Sequence, residues 1–234
     1  MTDSKNTLGI VMAKSDSRRC PHKNIADICG RPTMSYPIEV LKRSGVCDKV
    51  AVSTDSDEYG QIALAHGADE YLMRTPMTDR YTQMSITAED ALHQAGDKFR
   101  DDFNEVVVCG ANMMFIRPSW LRTAVTLLRD FVYNGMPIDV VGLEPYHWGL
   151  NVCRVKTGIM TQPAFYVLKH VGLFMEMDWA HEVELARQVQ RGINEGIIDY
   201  SLEETVHEDV LADWKRSPNR MGELMPTVEL LGAE

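Results

Sequence analysis

Cysteine is scarce and unpaired in this chain of 234 residues. Its five cysteines, Cys20, Cys29, Cys47, Cys109 and Cys153, form an odd, scattered set with no C-x-x-C spacing. That excludes a disulfide framework and a zinc knot, and reduced thiols are expected. Long apolar runs are missing too. No stretch approaches the roughly 18 residues that a membrane span needs, and the opening MTDSKNT lacks the hydrophobic segment of a secretory leader. A cytoplasmic protein with no membrane partner is expected. Positive charge is in deficit, with 24 Lys and Arg against 34 Asp and Glu for a net −10, which argues against nucleic acid as a partner. Repeats, low-complexity tracts and linkers are absent. One main domain over residues 1–195 is predicted, followed by a helical extension over 196–234 with an amphipathic stretch from Leu202 to Trp214.

Against this acidic background one segment is strongly basic. Residues 13–24 read A-K-S-D-S-R-R-C-P-H-K-N and follow directly on the apolar stretch Leu8-Gly9-Ile10-Val11-Met12. A strand feeding a loop with four cations, Lys14, Arg18, Arg19 and Lys23, suits a polyanion such as a nucleoside triphosphate. Small residues let backbone N–H groups approach, while Lys and Arg neutralise charge that builds as a phosphate bond breaks. The plain alternative is four solvated surface cations.

Short β-branched runs alternate with helical patterns along the chain, which predicts an α/β fold: three layers, α/β/α, around a mostly parallel, mixed sheet. Strands are predicted near 8–12, 48–53, 69–72, 105–109 and 138–143, and helices near 34–43, 57–66, 83–95 and from Pro118 to Tyr133. Pro37 is compatible with the first helix only in its opening turn, and Gly45 and Gly67 are terminators. The V-V-V of 106–108 has the composition of a strand buried on both faces. Ligands in such sheets sit beyond the C-terminal strand ends. The basic loop, Ser53-Thr54-Asp55 and Gly110-Ala111-Asn112 all fall there. Ser53, Thr54 and Asp55 are also residue types that cap a following helix, and Asp55 is expected to be structural.

Taken in order, these segments resemble the sugar-activating cytidylyltransferases that make CMP-linked nonulosonic acids, the sialic, pseudaminic and legionaminic acid synthetases. That family opens A-R-G-G-S-K-R-x-P-x-K-N, followed by G-x-P-x-x-x-x-x-I-E and V-S-T-D. The matching residues here are Ala13, Ser17, Arg19, Pro21, Lys23 and Asn24, then Gly30, Pro32, Ile38 and Glu39, then Val52, Ser53, Thr54 and Asp55, all in register. The resemblance covers about residues 8–190, dense at the start and sparse beyond 80. It implies a nucleotide-diphospho-sugar-transferase-like fold, CTP and a sugar acid as substrates, CMP-sugar and pyrophosphate as products, and a homodimer.

The resemblance also implies roles. Lys14, Arg18, Arg19 and Lys23 would neutralise the phosphates, Ala13, Ser15 and Ser17 would line the nucleotide loop, and Asn24 would orient the nucleotide. Leu72-Met73-Arg74-Thr75-Pro76 resembles the family's F-L-R-P stretch and makes Arg74 the base reader. A guanidinium can donate to cytosine O2 and N3, where uracil presents an N–H. C-G-A-N-M-M-F-I-R-P at 109–118 stands where the family has Q-P-T-S-P-L-R or G-N-x-P-F, which gives Asn112 a substrate contact although Met replaces the customary Pro. Attack on the α-phosphorus, with pyrophosphate leaving, calls for Mg²⁺ held by carboxylates. F-M-E-M-D-W-A-H-E at 174–182 resembles the family's I-D-I-D-T-P-E-D. Glu176 and Asp178, two apart on an extended segment and so on one side of it, are the expected Mg²⁺ ligands. A capping role for Asp178, on a helix starting at Trp179 with Glu182 completing the turn, is compatible with ligation.

Departures from the family pattern leave alternatives open. The family's first Arg and two glycines are Lys14, Ser15 and Asp16 here, and the stretch 145–173 is shorter than the family's dimerisation and acceptor-contacting region. A different acceptor, a different triphosphate or a non-catalytic nucleotide-binding relative each fits those changes.

Overall fold

A computed structural model describes residues 6–74, 103–130 and 177–201, and by backbone alone the short strands at 132–133, 136–137, 140–144, 150–154 and 165–169. The chain begins with β1 (Thr7–Ala13), followed by a 3₁₀ turn (Lys23–Ile25), the hairpin β2 (Asp27–Ile28) and β3 (Arg31–Pro32), and helix α1 (Ser35–Ser44). Next come β4 (Lys49–Thr54), α2 (Asp57–Ala65), β5 (Glu70–Met73), β6 (Glu105–Gly110) and α3 (Pro118–Asp130). The hairpin β7 (Val132–Tyr133) and β8 (Met136–Pro137) leads to β9 (Val140–Glu144), β10 (Leu150–Arg154), β11 (Phe165–Lys169) and α4 (Ala180–Asn194).

Seven strands form one sheet in the order β11-β9-β10-β6-β1-β4-β5. β1 pairs in parallel with β4 and β6, β4 with β5, and β9 with β11, while β10 runs antiparallel to both β6 and β9. The sheet is therefore mixed and mostly parallel, as expected. From β1 the chain winds outward through β4 to β5 and then returns to the other side of β1 as β6. The crevice at this switch point is where α/β sheets of this kind bind ligands.

Local chemistry accounts for the boundaries. Pro37 lies in the first turn of α1, where its missing N–H is harmless, and Gly45 closes that helix with φ 69°. Ser56 caps α2 by accepting a hydrogen bond from Tyr59 N. The all-buried run Glu105–Gly110 confirms that β6 is covered on both faces. At the N-terminal ends of β1 and β6, Thr7 lies opposite Glu105. The Glu105 carboxylate is fully buried and takes Arg129 Nη2 at 2.7 Å, Arg129 Nε at 2.9 Å and Thr7 Oγ1 at 3.1 Å. One charge cluster thus ties β1, β6 and α3 together at the pole remote from the crevice.

Some expectations need correction. The helix predicted to reach Tyr133 stops at Asp130, because Val132 and Tyr133 pair with Met136 and Pro137. The β-branched and aromatic side chains there favour a hairpin over another turn of helix. The strand predicted at 138–143 is β9, at Val140–Glu144. Strands β10 and β11 were not foreseen, and both lie in the segment expected to contact the acceptor. The helix predicted at 83–95, Glu176, and the extension beyond 201 lie outside the described residues.

Candidate active site

The loop after β1 is held in shape by groups that do not themselves need a ligand. Ser15 N donates to Asp55 Oδ1 at 2.7 Å, from the end of β4. Asn24 Nδ2 donates to the Lys14 carbonyl at 2.7 Å and so closes the two ends of the loop on each other, while the Asn24 carbonyl accepts from Met34 N at 2.9 Å. Ala13, at the end of β1, is fully buried and anchors the loop in the core. Asp55 is structural as expected, but its service is to the loop, since Ser56 is the residue that caps α2. Asn24 was expected to orient the nucleotide. It is 3% exposed, and its Nδ2 braces the loop.

Inside that frame the cations are unequally partnered. Lys14 Nζ lies 3.0 Å from Asp16 Oδ1, so the acidic side chain that departs from the family pattern is neutralised within the loop. Arg18 is exposed, and Ser17 is partly exposed. Arg19 Nη1 and Lys23 Nζ converge on one carboxylate, at 2.9 Å from Asp178 Oδ2 and 2.5 Å from Asp178 Oδ1. His22, at φ 58°, turns the chain sharply just before the 3₁₀ turn that presents Lys23. Its Nδ1 shares a 3.1 Å hydrogen bond with the Tyr59 hydroxyl. Burial, helped by the charges of Glu58 and Asp55, pushes the Tyr59 phenol up to about 12, so it stays neutral.

Asp178 reaches the crevice by a second bracket. Asn112 Nδ2 donates to the Met177 carbonyl at 3.1 Å, and Met177 N donates back to the Asn112 carbonyl at 3.3 Å. Asn112 is 6% exposed. The side chain expected to contact substrate therefore grips the segment that presents the carboxylate. The capping role considered for Asp178 is corrected as well. Helix α4 starts at Ala180 with Trp179 at the cap position, and the Glu182 carboxylate accepts from Asp178 N at 2.6 Å and Trp179 N at 2.7 Å. The Asp178 carboxylate is thereby left to face Lys23 and Arg19.

Arg74 sits on the opposite flank, just after β5. Its backbone N–H donates to the Thr54 carbonyl at 2.9 Å and its side chain is 4% exposed, so it is no ordinary surface arginine. Among the described residues no group of three or more His, Cys, Asp or Glu side chains is placed to hold a metal. Mg²⁺ does not need one. It is commonly bound through one or two carboxylates plus substrate phosphates, and Asp178 beside a phosphate loop fits that donor set. Cys20, Cys29, Cys47 and Cys109 are all unpaired thiols. No helix among the described residues is long and apolar enough to cross a membrane.

The cytidylyltransferase family model matches residues 8–141, more than half of the chain. Among individual proteins, the chain is 31% identical over 146 residues to the pseudaminic acid cytidylyltransferase and UDP-2,4-diacetamido-2,4,6-trideoxy-beta-L-altropyranose hydrolase of Helicobacter pylori, covering 59% of this chain and 27% of that protein. It is 36% identical over 86 residues to the pseudaminic acid cytidylyltransferase of Campylobacter jejuni, covering 36% of this chain and 37% of that protein. The matches thus span well under half the length of either relative. A solved CMP:2-keto-3-deoxy-manno-octonic acid synthetase complexed with CTP shares the fold, with a TM-score of 0.64 at 14% identity over 80% of this chain and 99% of that one.

Proposed function

Because the chain belongs to the cytidylyltransferase family, we propose that it transfers CMP from CTP to the anomeric hydroxyl of a 2-keto sugar acid, releasing pyrophosphate. The observation that carries the reading is the convergence of Lys23 and Arg19 on Asp178 at the switch-point crevice. Cations for a polyphosphate and a carboxylate for its metal stand within one hydrogen bond of each other. The names of the two relatives above, both acting on pseudaminic acid, favour a nonulosonic acid as acceptor.

In this reaction the acceptor hydroxyl attacks the α-phosphorus in line with the departing pyrophosphate, so no covalent enzyme intermediate is needed. Lys23, Arg19, Arg18 and Lys14 offset the phosphate charge, and Ser15 and Ser17 line the loop. Arg74 reads the cytosine edge from the β5 side. Asp178, with Glu176, would hold Mg²⁺. The ion would supply charge stabilisation to the leaving pyrophosphate. The pairing of Asp16 with Lys14 favours an active loop over a disabled one, because it removes the repulsion that a lone carboxylate would impose on a triphosphate. A cytoplasmic homodimer belongs to the same reading, and light scattering at working concentration tests the assembly.

The test is pyrophosphate release from CTP and Mg²⁺ with N-acetylneuraminate, pseudaminate, legionaminate and 3-deoxy-manno-octulosonate offered singly. Release that depends on one or more of these acids is expected. CTP binding without release in every case would leave only a nucleotide-binding protein.

A further inference from the structure

Trp179 is in the wrong place for folding. It holds the cap position of α4, where Ser, Thr, Asp and Asn are favoured because their side chains accept a hydrogen bond from the first turn. An indole offers a donor and no acceptor, and no side-chain cap bond is made here. The ring is not compensated by burial either, being 48% exposed. In the resembled motif I-D-I-D-T-P-E-D this position is Thr, a good cap. A residue that breaks a local rule at a half-exposed position marks function more often than stability.

The surroundings say which function. Trp179 follows Asp178 directly, and its backbone is fixed by Glu182, whose carboxylate accepts from Trp179 N at 2.7 Å. The Arg19 guanidinium lies 5.7 Å from the ring centroid and 2.9 Å from Asp178. The ring therefore borders the phosphate cations directly. It does so on the β6 side, because the preceding Met177 is bracketed to Asn112 at the end of β6. Arg74 lies across β1 and β4 from it, after β5. With the base read on the β5 side, the space beyond the phosphates on the β6 side is left for the other substrate.

We infer that Trp179 is a specificity-determining platform for the acceptor, its exposed indole face stacking on the carbon-rich face or acyl groups of the sugar acid. This rests on the function proposed above. An indole in a half-wet site suits such a ligand, offering broad apolar contact without competing for its hydroxyls. When Arg19 turns to the triphosphate, the ring it now overlies becomes more open to the acceptor, which predicts that the acid binds better after CTP.

The experiment compares wild type, Trp179→Thr and Trp179→Phe in the pyrophosphate assay, with each of the four acids named above. In Trp179→Thr the acceptor KM should rise about fivefold or more, while the KM for CTP stays within about twofold. Trp179→Phe should restore most of the loss. The melting temperature of Trp179→Thr should hold or rise, since Thr caps where Trp cannot. With CTP present, the acid should quench indole fluorescence in wild type and quench it much less in Trp179→Phe. An unchanged acceptor KM in Trp179→Thr, or a fall in its melting temperature, overturns the platform while leaving the transferase reading intact. A wild type that uses none of the acids overturns that reading, and the platform with it.

Discussion

Lys23 Nζ and Asp178 Oδ1, 155 positions apart in sequence, lie 2.5 Å apart at the mouth of the basic loop. Each side chain is complementary to something the other would displace. Lys23 suits a phosphate, and Asp178 suits the cation that accompanies it. The two side chains satisfy one another as an ion pair, which Arg19 shares from the other oxygen of Asp178.

Lys23→Ala should lower kcat/KM for CTP by about 10- to 150-fold, the loss of one charge-assisted contact worth about 1.5–3 kcal/mol. The fold should survive, since Asp178 keeps Arg19 as a partner. Steady-state kinetics and circular dichroism on the same preparation check both halves. Wild-type kinetics would remove Lys23 from the phosphate site.

Asp178→Asn separates charge from shape. The backbone N–H bonds to Glu182 do not involve the Asp178 side chain, so the melting temperature should move little, corresponding to at most about 1 kcal/mol for a partly exposed ion pair. Turnover should collapse and the Mg²⁺ needed for half-maximal rate should rise. A Mg²⁺ titration of pyrophosphate release in both proteins gives the answer. Equal activity at equal Mg²⁺ would direct attention to Glu176.

Arg74→Lys keeps a positive charge but loses the planar fork that reads a base edge. Wild type should favour CTP over UTP, and the variant should narrow that ratio by about tenfold, one or two hydrogen bonds' worth. Competition between the two nucleotides in one reaction measures it directly. A wild type indifferent to the base would show that Arg74 has another use.

Native alkylation with iodoacetamide at pH 8 should mark Cys29 and spare Cys47 and Cys109. Cys29 is exposed, whereas burial, reinforced by Asp48, pushes the Cys47 thiol up to about 12. Burial raises the wholly buried Cys109 thiol as well, with Cys47 beside it adding to the effect. The thiolate is the reacting species, so these two should label only after unfolding. Peptide mass mapping with and without urea reads the difference. Native labelling of Cys109 would contradict its place in the core.

The parallel half of the sheet and the basic loop were legible in the sequence because their signals are local. β-Branched runs such as Val106–Val108 fit only a strand covered on both faces, and Lys14 to Lys23 place cations directly after one. Direction was not legible. Asn24 and Asn112 have residue types suited to ligands, and nothing in the sequence says that their amide groups also reach Lys14 and Met177, partners set by long-range packing. The start of α4 was misjudged by one residue because Glu182 takes the N–H groups of both Asp178 and Trp179, a choice that depends on the path of the incoming chain. β10 escaped notice for another reason. L-N-V-C-R is too short and too mixed in polarity to announce a strand, and its antiparallel seat between β6 and β9 is a matter of topology.

The buried cluster of Thr7, Glu105 and Arg129 bears on how the chain finds its alignment. A run of three valines is nearly the same after a slip of one residue, and a strand covered on both faces loses little apolar contact by slipping. Hydrophobicity alone therefore leaves β6 free to zip onto β1 out of step. Glu105 does not permit it, because a shift in either direction takes its buried carboxylate out of register with Thr7 and away from Arg129, at a cost of about 3–5 kcal/mol. The cluster acts as a proofreader for the centre of the sheet. Each residue of misalignment would carry Asn112, and with it Asp178, roughly 3.3 Å along the strand, farther than the span that separates Asp178 from Lys23. An ion pair at one pole of the molecule thus sets the spacing on which the other pole depends.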